Sequence, residues 1–209
     1  MKQYTIQQIV NEVRIKYDEI SLNESSMIGA TDDSDMDTII KSCISEAYRF
    51  VTVNADLSML EGKQLEESDL TIDDSLIGHI RLPEDFLRGI TFRLSSWNSS
   101  ASDIITEDTP EYRMQSDPYA CGTWQHPVAA LVHTALGREI ELYKAKTKDD
   151  TLKSFVYVPN WEQSEESINI PTQLAEAFIY YVAALTATTF REDVANDFFK
   201  VARSLLGIE

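Results

Sequence analysis

The sequence predicts an α+β fold in which N- and C-terminal helices form a bundle and the middle of the chain supplies a central antiparallel β insertion. Three observations predict it. Apolar residues recur at helical spacing near both ends of the chain, they alternate with period two in the middle, and glycines, prolines and charged turns separate the runs. A chain of 209 residues with 43% apolar content can bury one substantial core. The expected organisation is a single domain, 1–209, with the bundle from 5–55 and 171–206, a β-rich insertion at about 79–160 and an acidic loop at about 57–77.

The first helix opens at Thr5 and Gln8, a capping-box pair, and Ile6, Ile9, Val10, Val13, Tyr17 and Ile20 form its apolar face. A polar connector rich in Ser, Asn and Asp follows. The second helix begins near Ser34 to Asp37, where carboxylates suit a helix N-terminus, and its stripe is Met36, Ile39, Ile40, Cys43, Ile44, Ala47 and Val51. These two helices are expected to pair as an antiparallel hairpin. From Leu57 to Ile77 no period is sustained, and six acids accompany a single lysine, so a loop is expected that is either an ordinary surface excursion or a segment ordered on docking.

Next comes "RLPEDFLRGITFRL", Arg81 to Leu94. Pro83 suits the first central position of a type I turn, Phe86 and Leu87 would plug the corner, and Gly89 permits a bend or close approach before a strand with Ile90, Phe92 and Leu94 on its buried face. Three further runs, Val128 to Thr134, Arg138 to Lys144 and Leu152 to Val158, read as an antiparallel meander punctuated by Gly137 and the charged turn "KTKDD". Pro171 and Thr172 start a helix with Leu174, Ala177, Phe178, Tyr181, Val182 and Leu185 on its face, reaching Phe190. In the last helix, Glu192 and Asp193 favour the N-terminus, Val194, Phe198, Ala202 and Leu205 form the face, and Gly207 ends it.

Charge narrows the function classes. With 35 acids against 18 bases the formal charge is -17, which argues against wrapping nucleic acid, because phosphate binding needs clustered Lys and Arg. The excess is spread: residues 1–78 hold 16 acids and 6 bases, a net of -10, and residues 79–209 hold 19 and 12, a net of -7. No run approaches the roughly 18 apolar residues of a membrane span, and "MKQYTIQQIV" lacks the pattern of a secretory leader, so a soluble, unsecreted protein is expected. Cys43 and Cys121 are expected to be buried free thiols.

Reactive motifs are sparse. The sequence contains no Walker loop, dinucleotide glycine fingerprint or Gly-x-Ser-x-Gly elbow. Cys121, His126 and His133 lack the fourth ligand and compact spacing of a zinc site. Asp33, Asp35 and Asp37 imitate the start of a calcium loop, but Thr38 stands where glycine is needed and Ile44 where glutamate is needed. Trp97, Trp124 and Trp161, at the ends of β runs, could form a ligand platform, but caps on a sheet core or subunit contacts are the more frequent role of such aromatics and are the reading taken. No catalytic, cofactor-binding or metal-binding residue is nominated, and no cofactor is expected. The candidate functional surfaces are spare helix faces, the Pro83 to Gly89 corner and the acidic loop.

The segment "RLPEDFLRGITFRL" resembles one found in head-to-tail connector proteins of tailed bacteriophages, the portal adaptor or neck-ring subunits, where a Leu-Pro-x-Asp-Phe turn leads into a strand. "HPVAALVHTALGREIELYKAK" and "PTQLAEAFIYYVAALTATTFREDVANDFFKVARSLL" follow in the family's order, so the likeness spans most of residues 5–206 and is nearest to adaptors of short-tailed and crAss-like phages. The resemblance implies a structural virion protein of the neck, made in the host cytoplasm. It implies a homo-oligomeric ring of about twelve subunits that docks on the portal protein, meets other tail or neck proteins and lets genomic DNA pass without sequence-specific binding or contact with a membrane. The alternatives are an acidic interaction protein, such as a DNA mimic, and an enzyme.

Overall fold

Thr5 closes the capping box that the sequence announces: its amide donates to Gln8 Oε1 at 2.9 Å, and the Gln8 amide donates to Thr5 Oγ1 at 3.2 Å. The protein was described from a computed structural model covering residues 1–21, 33–66, 69–117, 119–135, 137–162, 165–190 and 192–208. Five α-helices are present among the described residues: α1 (Ile6–Ser21), α2 (Asp33–Asn54), α3 (Pro110–Met114), α4 (Ala175–Phe190) and α5 (Glu192–Leu206). The strands are β1 (Lys2–Thr5), β2 (Lys63–Gln64), β3 (Thr71–Ile72), β4 (Ile77–Arg81), β5 (Phe86–Leu94), β6 (Ile104–Thr106), β7 (Ala129–Thr134), β8 (Gly137–Tyr143), β9 (Leu152–Pro159) and β10 (Ser167–Ile170).

The chain divides into two compact units, Met1–Glu61 with Asn160–Glu209, and Gly62–Pro159. In the first, α4 packs against α5, α2 and α1. Its Ala177, Phe178, Val182, Ala183, Ala184 and Ala187 are buried on several sides of the helix, as expected of a helix surrounded by partners, and Leu174 just before it is buried too. Ile9, Val10, Val13 and Tyr17 of α1 and Ile40, Ile44, Ala47 and Val51 of α2 are buried with it. Tyr17 donates its hydroxyl to the Ala183 carbonyl at 3.0 Å, and Phe50 stacks on Tyr181 at 4.1 Å. Beyond α5, Gly207 takes φ +73 and closes a Schellman turn, with the Ile208 amide on Arg203 O and the Gly207 amide on Ser204 O, both at 3.1 Å.

In the second unit one sheet has the order β2-β9-β5 and another the order β3-β4-β8-β7-β6. Both supply a single buried cluster, with Phe86, Phe92, Leu94, Phe155 and Tyr157 from the first and Ile80, Ala129, Ile140 and Leu142 from the second. Phe155 stands edge-on to Phe92 at 4.7 Å and 87°.

These findings correct the expected fold. The class is α+β, but a helical bundle with one central antiparallel insertion does not describe it: among the described residues ten strands in three sheets dominate the core. The third sheet, β1 paired antiparallel with β10, lies in the helical unit, and β6 pairs parallel with β7. The meander is corrected as well. β7 and β8 form a hairpin, whereas β9 leaves for the other sheet and pairs with β5 and β2. The chain changes direction at Lys144, φ +68, and Asp150 then holds the turn by accepting from the Ser96 hydroxyl and amide.

The acidic stretch is corrected too. Among its described residues, 57–77 contain a 3₁₀ turn at Leu57–Met59 and the strands β2 and β3, and Leu65, Leu70, Ile72 and Leu76 pack on the buried cluster. Six acids stand in it, but leucines and an isoleucine at irregular spacing anchor it. The polar connector after α1, the side chains of Ile20, Phe190 and Asp193, and the break at Arg191 lie outside the described residues.

Candidate functional site

Three surfaces deserve description. The first is the Pro83 to Gly89 corner. The Phe86 amide donates to Pro83 O at 3.0 Å, which makes Pro83 the first residue of the turn and Glu84 and Asp85 its central pair, one position away from the expected placement. Asp85 accepts from Lys63 Nζ at 2.6 Å and from the Tyr157 hydroxyl at 3.0 Å. The hydrogen bond to Asp85 pushes the Lys63 pKa up, and burial pushes Tyr157 up. Arg138 donates to Phe86 O at 3.3 Å and lies over the Phe86 ring. The corner's carboxylate is thus committed to binding β2, β5 and β9 together, which is architecture.

The strand that leaves this corner starts at Phe86, earlier than expected. Its register slips between Phe86 and Arg88 and again between Gly89 and Thr91, so the buried positions are Phe86, Gly89, Phe92 and Leu94 while Ile90 is only half-buried. Gly89 does provide a close approach: a Cβ there would lie 2.3 Å from Phe92 Cζ and 2.6 Å from Ile104 Cδ1.

The second surface is the connection between β6 and β7. A parallel pair needs a crossover, and residues 107–128 provide one whose described residues include the short helix α3. Met114 (47% exposed), Tyr119 (100%) and Trp124 (48%) project from it. Beside Trp124 is a cleft of about 420 Å³ lined by Asn98, Cys121, Gly122, Thr123, Gln125 and Lys144. Its wall is pinned. The Asn98 amide donates to Trp124 O at 2.9 Å, Ser99 Oγ to Gln125 O at 2.7 Å, the Thr123 amide to His126 O at 2.9 Å, and the Gly122 amide to Gln115 Oε1 at 2.8 Å. Sequence reasoning missed this cleft. The available signal was a set of large apolar side chains, Met114, Tyr119 and Trp124, that fit neither a helical nor a strand period.

The third surface is the set of helix faces, where Ile15 on α1, Val53 on α2, and Val201 and Leu205 on α5 are exposed. Leu205 was expected on the buried face of the last helix. It is 40% exposed and Leu206 takes the place, continuing the four-residue spacing of Val194, Phe198 and Ala202.

The remaining chemistry-bearing residues are dispersed. His133 Nδ1 lies 3.1 Å from Glu107, and His79 Nε2 lies 3.7 Å from Asp73. Asp37 pairs with Arg14 at 2.7 Å, and Asp35 is exposed. Among the described residues no three His, Cys, Asp or Glu side chains gather in a way that could hold a metal ion. Neither Cys43 nor Cys121 is in a disulfide, both are half-buried rather than buried as expected, and burial pushes the Cys43 thiol up. Tyr143 donates to Glu141 Oε2 at 2.6 Å, and burial first, then Glu141, raises its pKa. Trp97 and Trp161 are buried and donate their indole N–H groups to Lys144 O and Ser167 O. No helix among the described residues is long and apolar enough to cross a membrane. The chain matches no protein-family model and no curated protein.

Proposed function

We propose that this chain is a structural subunit of a phage head-to-tail connector, an adaptor that docks on the portal, joins copies of itself in a ring of about twelve and continues the DNA channel toward the tail. The observation that carries the reading is the ordered likeness of three segments, 81–94, 126–146 and 171–206, to that family. Those segments form the β4–β5 corner, the β7–β8 hairpin and the α4–α5 pair.

Two physical features support it. A closed ring with head-to-tail contacts requires two unlike surfaces on every subunit. Outside the Trp124 cleft, the exposed large apolar side chains of the described residues fall into separate groups, Met1, Ile15, Val53, Val201 and Leu205 on the helical unit and Met114 and Tyr119 on the β unit. The net charge of -17 supplies the second feature. An acidic wall repels passing phosphates and limits adhesion of DNA, and the same self-repulsion keeps free subunits apart until a portal presents a matching surface.

The test mixes the purified chain with the portal protein from the same genome and follows it by native mass spectrometry and negative-stain microscopy. The chain alone is expected to be monomeric, and portal is expected to convert it into a collar. A chain that stays monomeric beside an intact portal, or a genome that encodes no portal, refutes the reading.

A further inference from the structure

The cleft beside Trp124 is the place where unpartnered groups converge. Among the described residues, the Trp124 indole N–H and the side-chain amides of Asn98 and Gln125 make no hydrogen bond, and the ammonium groups of Lys144 and Lys146 meet no carboxylate. Lys146 Nζ stands 5.8 Å from the centre of the Trp124 ring, and Lys144 is held at the cleft by a positive φ that costs a non-glycine residue energy. An apolar surface with a few polar groups pointing into about 420 Å³ is the usual build of a binding site.

Charge selects the ligand. Residues 144–153 carry Lys144, Lys146, Lys148 and Lys153 against Asp149 and Asp150, a locally basic stretch in a chain of net charge -17. Lys148 is spent on Asp74, and Asp150 on Ser96 and Thr151, which leaves Lys144 and Lys146 at the cleft. A nucleic acid would extend its phosphates past this patch onto acidic surface. A second copy of the chain would bring its whole negative charge with it.

We infer that this cleft binds a short acidic peptide segment of another protein, with an aromatic side chain stacked on Trp124, its carboxylates on Lys144 and Lys146, and its backbone amides met by Asn98 and Gln125. The carboxylate and amide contacts match the ammonium and side-chain amide groups left without a carboxylate or hydrogen-bond partner among the described residues, and the stacking uses the half-exposed ring of Trp124. The inference stands apart from ring assembly, since it concerns one unit of one subunit.

The test follows the indole N–H resonances in ¹H–¹⁵N NMR spectra of the full chain, with Trp124→Phe assigning one peak and buried Trp161 as the control. The probe is N-acetyl-Phe-Asp-Glu-amide, compared with its neutral Phe-Asn-Gln analogue. A saturable shift of the Trp124 peak alone is expected, weakened about three- to tenfold for the neutral peptide and for a Lys144→Asn, Lys146→Gln variant, asparagine being tolerated at positive φ. Absence of a saturable shift, or equal binding of the two peptides, overturns the inference. A Trp124 shift that depends on protein concentration without peptide also overturns it, because a second copy would then fill the cleft.

Discussion

Replacing Gly89 with alanine tests the packing on which the β unit rests. The added methyl would lie 2.3 Å and 2.8 Å from Phe92 Cζ and Cε2 and 2.6 Å from Ile104 Cδ1, all well inside van der Waals contact. Phe92 is fully buried and held edge-on against Phe155, so its ring has no free space to enter. Overpacking of this kind costs about 1–3 kcal/mol. The smaller conformational freedom of alanine in the unfolded chain returns about 0.4–1 kcal/mol. The net loss is about 1–2 kcal/mol, or roughly 5–15 °C in Tm for a unit of this size. Trp97 lies inside the affected cluster, so fluorescence of a Trp124→Phe, Trp161→Phe background reports the unfolding of this unit. Combining Gly89→Ala with Phe92→Leu should cost less than the sum of the two, because the shorter side chain relieves the contact. A Gly89→Ala protein as stable as its parent, or strict additivity in the double variant, refutes this account.

The corner and the caps give further expectations. Asp85→Ala removes acceptors from Tyr157 and the half-exposed Lys63 and should cost about 1–2 kcal/mol in urea unfolding, whereas Lys63→Met should cost less than 1 kcal/mol. Gly207→Ala forces a non-glycine residue into φ +73 and should lower stability by about 1 kcal/mol, read as a loss of protection of the last turn of α5 in hydrogen exchange. The raised pKa values of Tyr143 and Tyr157 mean that the folded chain keeps protons which the unfolded chain releases near pH 10. Their contribution is complete below that pH and declines above it, so Tm should fall through the alkaline range, and Tyr143→Phe should flatten the fall. Burial that holds the Cys43 thiol up predicts slow disulfide exchange at pH 8 in a Cys121→Ser variant, and fast exchange in denaturant.

Local signals proved readable where one short segment decides the outcome. The Thr5–Gln8 capping box, the helical periods of α1, α2 and α4, and the Gly207 terminus depend on residues within a turn or two of each other, and each could be read directly. The close approach at Gly89 was also legible, as a glycine amid apolar alternation. The cleft beside Trp124 was not, because Asn98, Trp124 and Lys144 come from three separate loops and share no spacing.

Sequence alone therefore determined the four long helices, the strands β5, β7, β8 and β9, the acidity of the whole chain and the absence of familiar reactive motifs, since composition and near-neighbour periodicity express these directly. The short strands β1, β2, β3, β6 and β10 and the helix α3 hold too few residues to show a period. Tertiary structure decided which strands meet. Alternation in Leu152 to Val158 is equally compatible with pairing to β8 or to β5, and the turn at Lys144 together with the aromatic cluster around Phe155 selects β5. It also decided which side chains remain outside. Leu205 and Leu206 are interchangeable in an amphipathic pattern, and only packing against α4 turns one inward and leaves the other on the surface.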